Sequence, residues 1–253
     1  MFGEFNCIKL DEEAVEQSSC SVVEEIPLSI FINGRHFATA MISPQMREEF
    51  VIGHLFSEGM IKNLQDIESV EIEGNVIRAI IANPMKALLP RRPIVSGCGG
   101  IASFLDESKL HAIDSDLVIH KEEVFKAMKA ISLSEIHKAT GGVHSVGLFD
   151  KSGAVCIVED IGRHNALDKA VGHGLKRNAD FSMTFAASTG RISSDMAMKC
   201  STAGIPIVIS RGATTGLALK IAERTGLTIV GFVRGRRMNV YTNPQRLMDI
   251  QCP

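Results

Sequence analysis

From Val143 to the C-terminus the chain alternates short apolar runs with amphipathic segments, and no other feature constrains its fold as strongly. Val143 to Phe149 and Ala154 to Val158 read as strands around a turn at Asp150 to Gly153, and Asn165 to Arg177 reads as a helix. Strand Met183 to Ala187, helix Ser194 to Ala203, strand Ile205 to Ser210, helix Thr215 to Thr225 and strand Leu227 to Val233 follow. Apolar strands separated by helices imply a largely parallel sheet covered on both faces. With 253 residues, 45% of them hydrophobic, the chain can bury such a core without a metal or disulfide staple.

Upstream the pattern changes. Residues 1–24 are polar and unpatterned and read as a flexible lead-in. Residues 25–110 form a β-rich subdomain, and residues 111–253 the α/β core. Ile26 to Ile32 and His36 to Ile42 read as strands joined at Asn33-Gly34, a dipeptide suited to a tight hairpin. Ser43-Pro44 opens a helix that carries Phe50, Val51, His54 and Leu55 on one face and runs to Gly59. A second hairpin pairs Ile67 to Ile72 with Val76 to Ile81. Residues 83–100, with Pro84, Pro90, Pro93, Arg91, Arg92 and the run Ser96-Gly97-Cys98-Gly99-Gly100, form a long connection of the kind that often carries function. Val124, Phe125, Met128 and Ile131 mark a helix that ends by Gly141-Gly142.

Twenty-seven Lys and Arg against 29 Asp and Glu exclude bulk attraction to nucleic acid or to an anionic membrane. Met1 to Asp11 lacks the cationic start and apolar run of a signal peptide, and no stretch approaches the roughly 20 apolar residues of a membrane span. A cytoplasmic address is expected. Cys7, Cys20, Cys98, Cys156, Cys200 and Cys252 are scattered without paired spacing, which speaks against a disulfide framework and a zinc site.

Three successive strands end in loops that pair glycine with arginine: Ser188-Thr189-Gly190-Arg191, Arg211-Gly212-Ala213-Thr214-Thr215-Gly216 and Arg234-Gly235-Arg236-Arg237. Singly, such a turn is commonly just a solvated loop. Together, at the strand ends where α/β sheets collect ligands, they point to a ligand with more than one phosphate. GxGxxG and GxxxxGK[ST] are absent, so the usual dinucleotide fold and the P-loop do not apply.

Cys98 is either a small residue in a tight turn or a reactive thiol. Its flanking glycines remove steric cover, and Arg91 and Arg92 add positive charge that favours a thiolate able to carry sulfur as a persulfide. Cys156, in an apolar strand, and Cys200, beside Met196 and Met198, read as core fillers, and the terminal Cys7, Cys20 and Cys252 as incidental. His144 and His164 stand near glycines at element edges. Each either makes a structural hydrogen bond or handles a proton or a base, with Glu159 and Asp160 near His164 and Asp168 one turn later, placed to orient its ring.

The segments TGGVHSVGLFD (140–150), EDIGRHNALDKAVG (159–172), STGRISSDMAMKCSTAGIPIVISRGATTGLAL (188–219) and GLTIVGFVRGRRMNVYT (226–242) together resemble the formate dehydrogenase accessory sulfurtransferase family, FdhD. The resemblance implies a three-layer α/β/α core similar to the cytidine deaminase fold with an N-terminal β-hairpin-rich subdomain. It also implies a sulfurtransferase that accepts sulfur from a cysteine desulfurase as a Cys98 persulfide. The sulfur passes to the molybdenum or tungsten bis(molybdopterin guanine dinucleotide) cofactor needed by formate dehydrogenase, and a guanine nucleotide such as GDP can occupy the same site. The family's cofactor-contacting stretch falls on Phe232, Val233, Arg234, Gly235, Arg236 and Arg237, beside the other strand-end residues, with His144 and His164 as further contacts; a homodimer is implied as well. Many members carry a CxxC pair, whereas Ile101 stands at the second position here, so no two-cysteine relay is available in that loop. A chaperone that inserts or protects the cofactor without sulfur transfer, and a plain guanine-nucleotide binder, are the competing readings. The HxE or CxE and PCxxC segments of zinc deaminases are missing, which excludes deamination.

Overall fold

The computed structural model describes residues 2–83, 110 and 112–248. The chain opens with β1 (Phe2–Leu10) and β2 (Val15–Val23), an antiparallel hairpin. This corrects the expected flexible lead-in. Its strands lack one-sided alternation because neither face is deeply buried, so the usual apolar signal is absent. The register sets Cys7 opposite Ser18 and Cys20 opposite Phe5, which makes the two cysteines diagonal neighbours on one face. Their Cα atoms are 6.2 Å apart and their sulfurs form a disulfide, correcting the expectation that both are incidental.

The next unit follows the expected order: β3 (Ile26–Ile32), β4 (Arg35–Ile42), α1 (Arg47–Ser57), β5 (Ile67–Glu73) and β6 (Val76–Ile81), in a sheet ordered β4-β3-β6-β5. Asn33 and Gly34 take the positive φ values, 49° and 78°, that a tight hairpin requires. Helix α1 closes one face over Leu28, Ile30, Ile42, Ile77 and Ala79.

The remainder comprises β7 (Ile119–His120), α2 (Lys121–Ile131), α3 (Glu135–Thr140), β8 (His144–Asp150), β9 (Gly153–Asp160), α4 (Arg163–Lys176), β10 (Phe185–Ser188), α5 (Ser194–Thr202), β11 (Ile207–Ser210), α6 (Gly216–Thr225), β12 (Thr228–Arg234), β13 (Arg237–Val240) and β14 (Leu247–Met248). The single helix expected before Gly141 is two, because the Ser134 hydroxyl accepts the His137 N–H and starts α3 afresh. The central sheet runs β13-β12-β11-β10-β8-β9. Only β10-β11 and β11-β12 are parallel; β8 pairs antiparallel with β10 across the α4 connection, and hairpins add β9 and β13, so the sheet is mixed where a largely parallel one was expected. Alternate residues face opposite layers. Ala186, Val208 and Ile229 pack under α4, α5 and α6, while Phe185, Ile207, Ile209 and Val230 pack on α2. Among the described residues no helix is long and apolar enough to cross a membrane.

The two sheets are joined through α1 and α4. A Cβ on Gly53 would lie 1.8 Å from the Asp168 carbonyl oxygen, and one on Gly172 would lie 1.9 Å from that of Glu49, so the backbones touch where these glycines meet. Two buried charged clusters flank the crossing. Lys169 Nζ donates to Asp160 Oδ2 at 2.7 Å and to the Ser43 carbonyl at 3.0 Å, and Asp160 also accepts from the Ser43, Gly162 and Asn165 nitrogens at 2.9 Å. Lys199 Nζ donates to both Asp168 oxygens at 3.0 Å and to Ser57 Oγ at 3.0 Å. Removing one partner strands a buried charge. Asp160→Asn is therefore expected to destabilise the protein by about 3–5 kcal/mol in urea unfolding at neutral pH; a loss within about 0.5 kcal/mol would show that the Lys169 pair is not holding the crossing.

Candidate functional site

The loops after β10 and β11 and the bend of β12 converge beside β8. Each is tied by its own backbone. Ser188 Oγ accepts the Gly190 N–H at 3.1 Å, Ser210 Oγ accepts the Gly212 N–H at 2.8 Å and donates to the Gly190 carbonyl at 2.5 Å, and Ile192 bridges Thr214. Thr189 Oγ1 accepts the Ser145 N–H at 3.0 Å and fixes the first loop to β8. Phe232 sits in a bulge of β12 at φ 52°, a left-handed conformation that costs a non-glycine residue roughly 1–2 kcal/mol. Its N–H donates to the Gly212 carbonyl at 2.9 Å, and the Arg234 guanidinium lies 5.5 Å from its ring centre while donating to the Arg211 carbonyl. The strain thus locks two arginine-bearing loops together.

These ties enclose a cleft of about 250 Å³ lined by His137, His144, Thr189, Arg211, Gly212 and Arg234. Two guanidiniums and two imidazoles with few competing carboxylates suit an anion. Burial, then Arg163 and His137, push His144 below the ordinary histidine value, so it presents a neutral ring. Arg163 packs so closely that a Cβ on Gly190 would lie 2.8 Å from its Cβ and 3.3 Å from His144 Nδ1, and its buried Nε has no hydrogen-bond partner among the described residues.

The structure brings together His144, Thr189, Arg211, Gly212 and Arg234 of the residues expected from sequence. Ser188 and Gly190 are buried behind the cleft, and the Val233 side chain packs in the core against the α2 face. Arg191, Gly235, Arg236 and Arg237 are exposed outside the lining, and Thr214 is half-buried with its hydroxyl on the Ile192 carbonyl. His164 turns away: its Nε2 is 2.9 Å from Ser193 Oγ and 3.5 Å from Asp195 Oδ2. Asp168 does not orient it as expected, because that carboxylate is taken by His54 Nδ1 at 3.0 Å, Ser57 and Lys199. Cys98, Arg91, Arg92, Ile101 and Cys252 lie outside the described residues. His137 was missed; it stands on a six-residue helix with no adjacent glycine, and only the fold of α3 brings it to the cleft.

An α/β protein with an arginine and histidine cleft at its parallel strand ends has a surface whose charge suits an anion. Comparison with known proteins narrows the class. The FdhD/NarQ family model matches residues 23–248. Sulfur carrier protein FdhD of Methanothermobacter thermautotrophicus is 34% identical over 250 residues, covering 98% of this chain and 99% of that protein. Its counterpart in Geobacillus kaustophilus is 36% identical over 233 residues, covering 88% and 89%. A crystal structure described as a formate dehydrogenase accessory protein from Desulfotalea psychrophila superposes with a TM-score of 0.83 at 28% identity, covering 98% of this chain and 99% of that one. The chain belongs to the FdhD/NarQ family.

Two buried groups set an acid response. Burial, opposed by Asp195, pushes His164 down to about 4. Burial alone raises Asp168, but Lys199 and His54 outweigh it and hold it at about 2. Both folded values lie below the unfolded ones, so both contributions are complete at neutral pH and are lost on acidification. Urea unfolding is expected to show stability falling from about pH 6.5 to 4 through His164 and again from about pH 4 to 2 through Asp168. His164→Gln should make the upper slope, which His144 shares, shallower and leave the lower window unchanged, and an unchanged upper slope in that variant contradicts the assignment.

Proposed function

We propose that the chain is a sulfur carrier in formate dehydrogenase maturation. In the first leg Cys98 thiolate attacks the outer sulfur of a cysteine desulfurase persulfide; a Cys98 S–S bond forms, the desulfurase S–S bond breaks, and the desulfurase leaves as a thiolate. In the second leg the Cys98 S–S bond would break and Cys98 leave as a thiolate as the sulfur passes to the client, a molybdenum or tungsten bis(molybdopterin guanine dinucleotide) cofactor. The client's reduced metal would supply the two electrons that take persulfide sulfur to sulfide, while Arg211 and Arg234 hold its diphosphate in the cleft. The observation that carries this reading is the convergence of those arginines with His144 at the strand ends, in a chain whose relatives are named sulfur carriers. The Arg163 Nε, without a hydrogen-bond partner among the described residues, suits a phosphate-bearing group.

Elimination leaves Cys98 and Cys252, of which the glycine-flanked Cys98 has the setting of a reactive thiol. Among the described cysteines, Cys7 and Cys20 are bonded to each other, and burial pushes Cys156 and Cys200 up to about 11 and 12, which keeps both protonated at neutral pH. Incubation with a cysteine desulfurase and cysteine is expected to add sulfur to the intact mass of the wild type and none to Cys98→Ala. An undiminished adduct in the variant overturns the carrier role. Ile101, in place of the second cysteine common in the family, favours a second reading, a chaperone that inserts the cofactor without sulfur transfer. Restoration of formate dehydrogenase activity by Cys98→Ala in a strain lacking the protein would select it.

The cleft has its own test. A hydrogen bond to a charged group contributes about 1.5–3 kcal/mol, so Arg234→Ala should weaken GDP binding by roughly ten- to a hundredfold in calorimetry; equal affinity would place the diphosphate elsewhere.

A further inference from the structure

His137 lines the cleft but has no part in the reading above. Its Nδ1 lies 3.0 Å from the Val143 carbonyl oxygen, which can only accept, so Nδ1 carries the hydrogen and the neutral ring keeps its lone pair on Nε2. Ser134 fixes the backbone at His137 through the 2.8 Å bond from the His137 N–H, and the same hydroxyl bonds Glu159. The ring is therefore held at both the main chain and Nδ1, leaving Nε2 as the atom free to answer a ligand.

The charges around it are opposed. Arg211 and Arg234 line the same cleft, and Arg163 stands against His144 on its far side. Glu159 on β9 is near enough to feel a charge on His137; it accepts from Ser145 Oγ at 3.2 Å as well as from Ser134. On its own helix His137 is flanked by Glu135 and Lys138, which are exposed and opposite in sign. Strand β2 packs on α3 near Val23, which meets Gly142, and its one charged residue, Glu16, pairs across the hairpin with Lys9 seven residues away. An anion entering the cleft adds a close negative charge, and that favours a proton on Nε2.

We infer that His137 couples binding of a phosphate-bearing anion in this cleft to the uptake of one proton, carried on Nε2. The inference rests on the anion-site reading of the cleft and goes beyond it by making occupancy depend on pH. The protonated ring donates to a phosphate oxygen; as pH rises the lone pair returns and opposes the anion. His144 is the rival for the proton, but it is half-buried and lies against Arg163, both of which hold it below the ordinary histidine value.

Calorimetry with GDP in two buffers of different ionisation enthalpy, repeated between about pH 5.5 and 8 where histidines titrate, measures the protons taken up. The wild type is expected to take up a fraction of a proton that approaches one, with affinity rising as pH falls by at most about tenfold per unit. His137→Asn, whose amide can still donate to the Val143 carbonyl, should bind GDP with neither uptake nor pH dependence. His137→Gln, which places an amide near Nε2, gives a second variant should the first fail to fold. Uptake that persists in a folded variant, or a wild type that binds GDP without uptake, overturns the inference while leaving the cleft intact. A wild type that binds no GDP at any pH overturns the anion site itself and this inference with it.

Discussion

The contact between α1 and α4 at Gly53 and Gly172 is the constraint on which the rest of the molecule depends. No side chain separates the two backbones there, and α4 is buried on nearly every side, including its charged residues Asp168 and Lys169. Neither charge can be satisfied by water, so each is answered across the junction: Asp168 by His54 and Ser57 of α1 and by Lys199 of α5, Lys169 by Asp160 and the chain leaving β4. Apolar burial could bring two sheets together in several ways. The charged groups accept only one, because any slide along the crossing leaves an ammonium or carboxylate unpaired in the interior.

Fixing α4 fixes what grows from its ends. Asp160 closes the turn into α4 through the Gly162 N–H, which sets Arg163 against Gly190 and His144. The three strand-end loops then fasten to one another through Ser188, Ser210 and the strained Phe232, so the cleft is held before any ligand arrives. Pre-organisation of this kind lowers the entropy lost on binding, and it suits a site that must hold a large anionic client steady.

How much of this was legible in the sequence depends on whether the signal was local. The Asn33-Gly34 hairpin, the glycine and arginine loops and the alternation after Val143 were readable because the residue types required by a turn or a strand end lie together in sequence. The β1-β2 hairpin was not, since its two faces both meet solvent and carry no one-sided pattern, and the bridge between Cys7 and Cys20 depends on that register. Strand β13 does alternate, with Met238 and Val240 packed on the core, but four residues are too few for the pattern to stand out. Gly53 and Gly172 gave no hint, because a glycine within a helix signals only lost propensity until the partner helix is known. Asp168 looked like a partner for His164 by helical spacing, and tertiary packing handed it to His54 instead. His137 belonged to a helix whose separate start at Ser134 the periodicity of α2 concealed.

The central claim is that one chain both carries the sulfur and holds its recipient in the arginine cleft. It is tested most directly by loading the protein with radiolabelled persulfide sulfur, adding the cofactor in its sulfur-free form, and following the label. The account predicts that label moves to the cofactor from the wild type, and that Arg211→Ala combined with Arg234→Ala loads normally yet fails to deliver. Delivery at the wild-type rate without those arginines would contradict it.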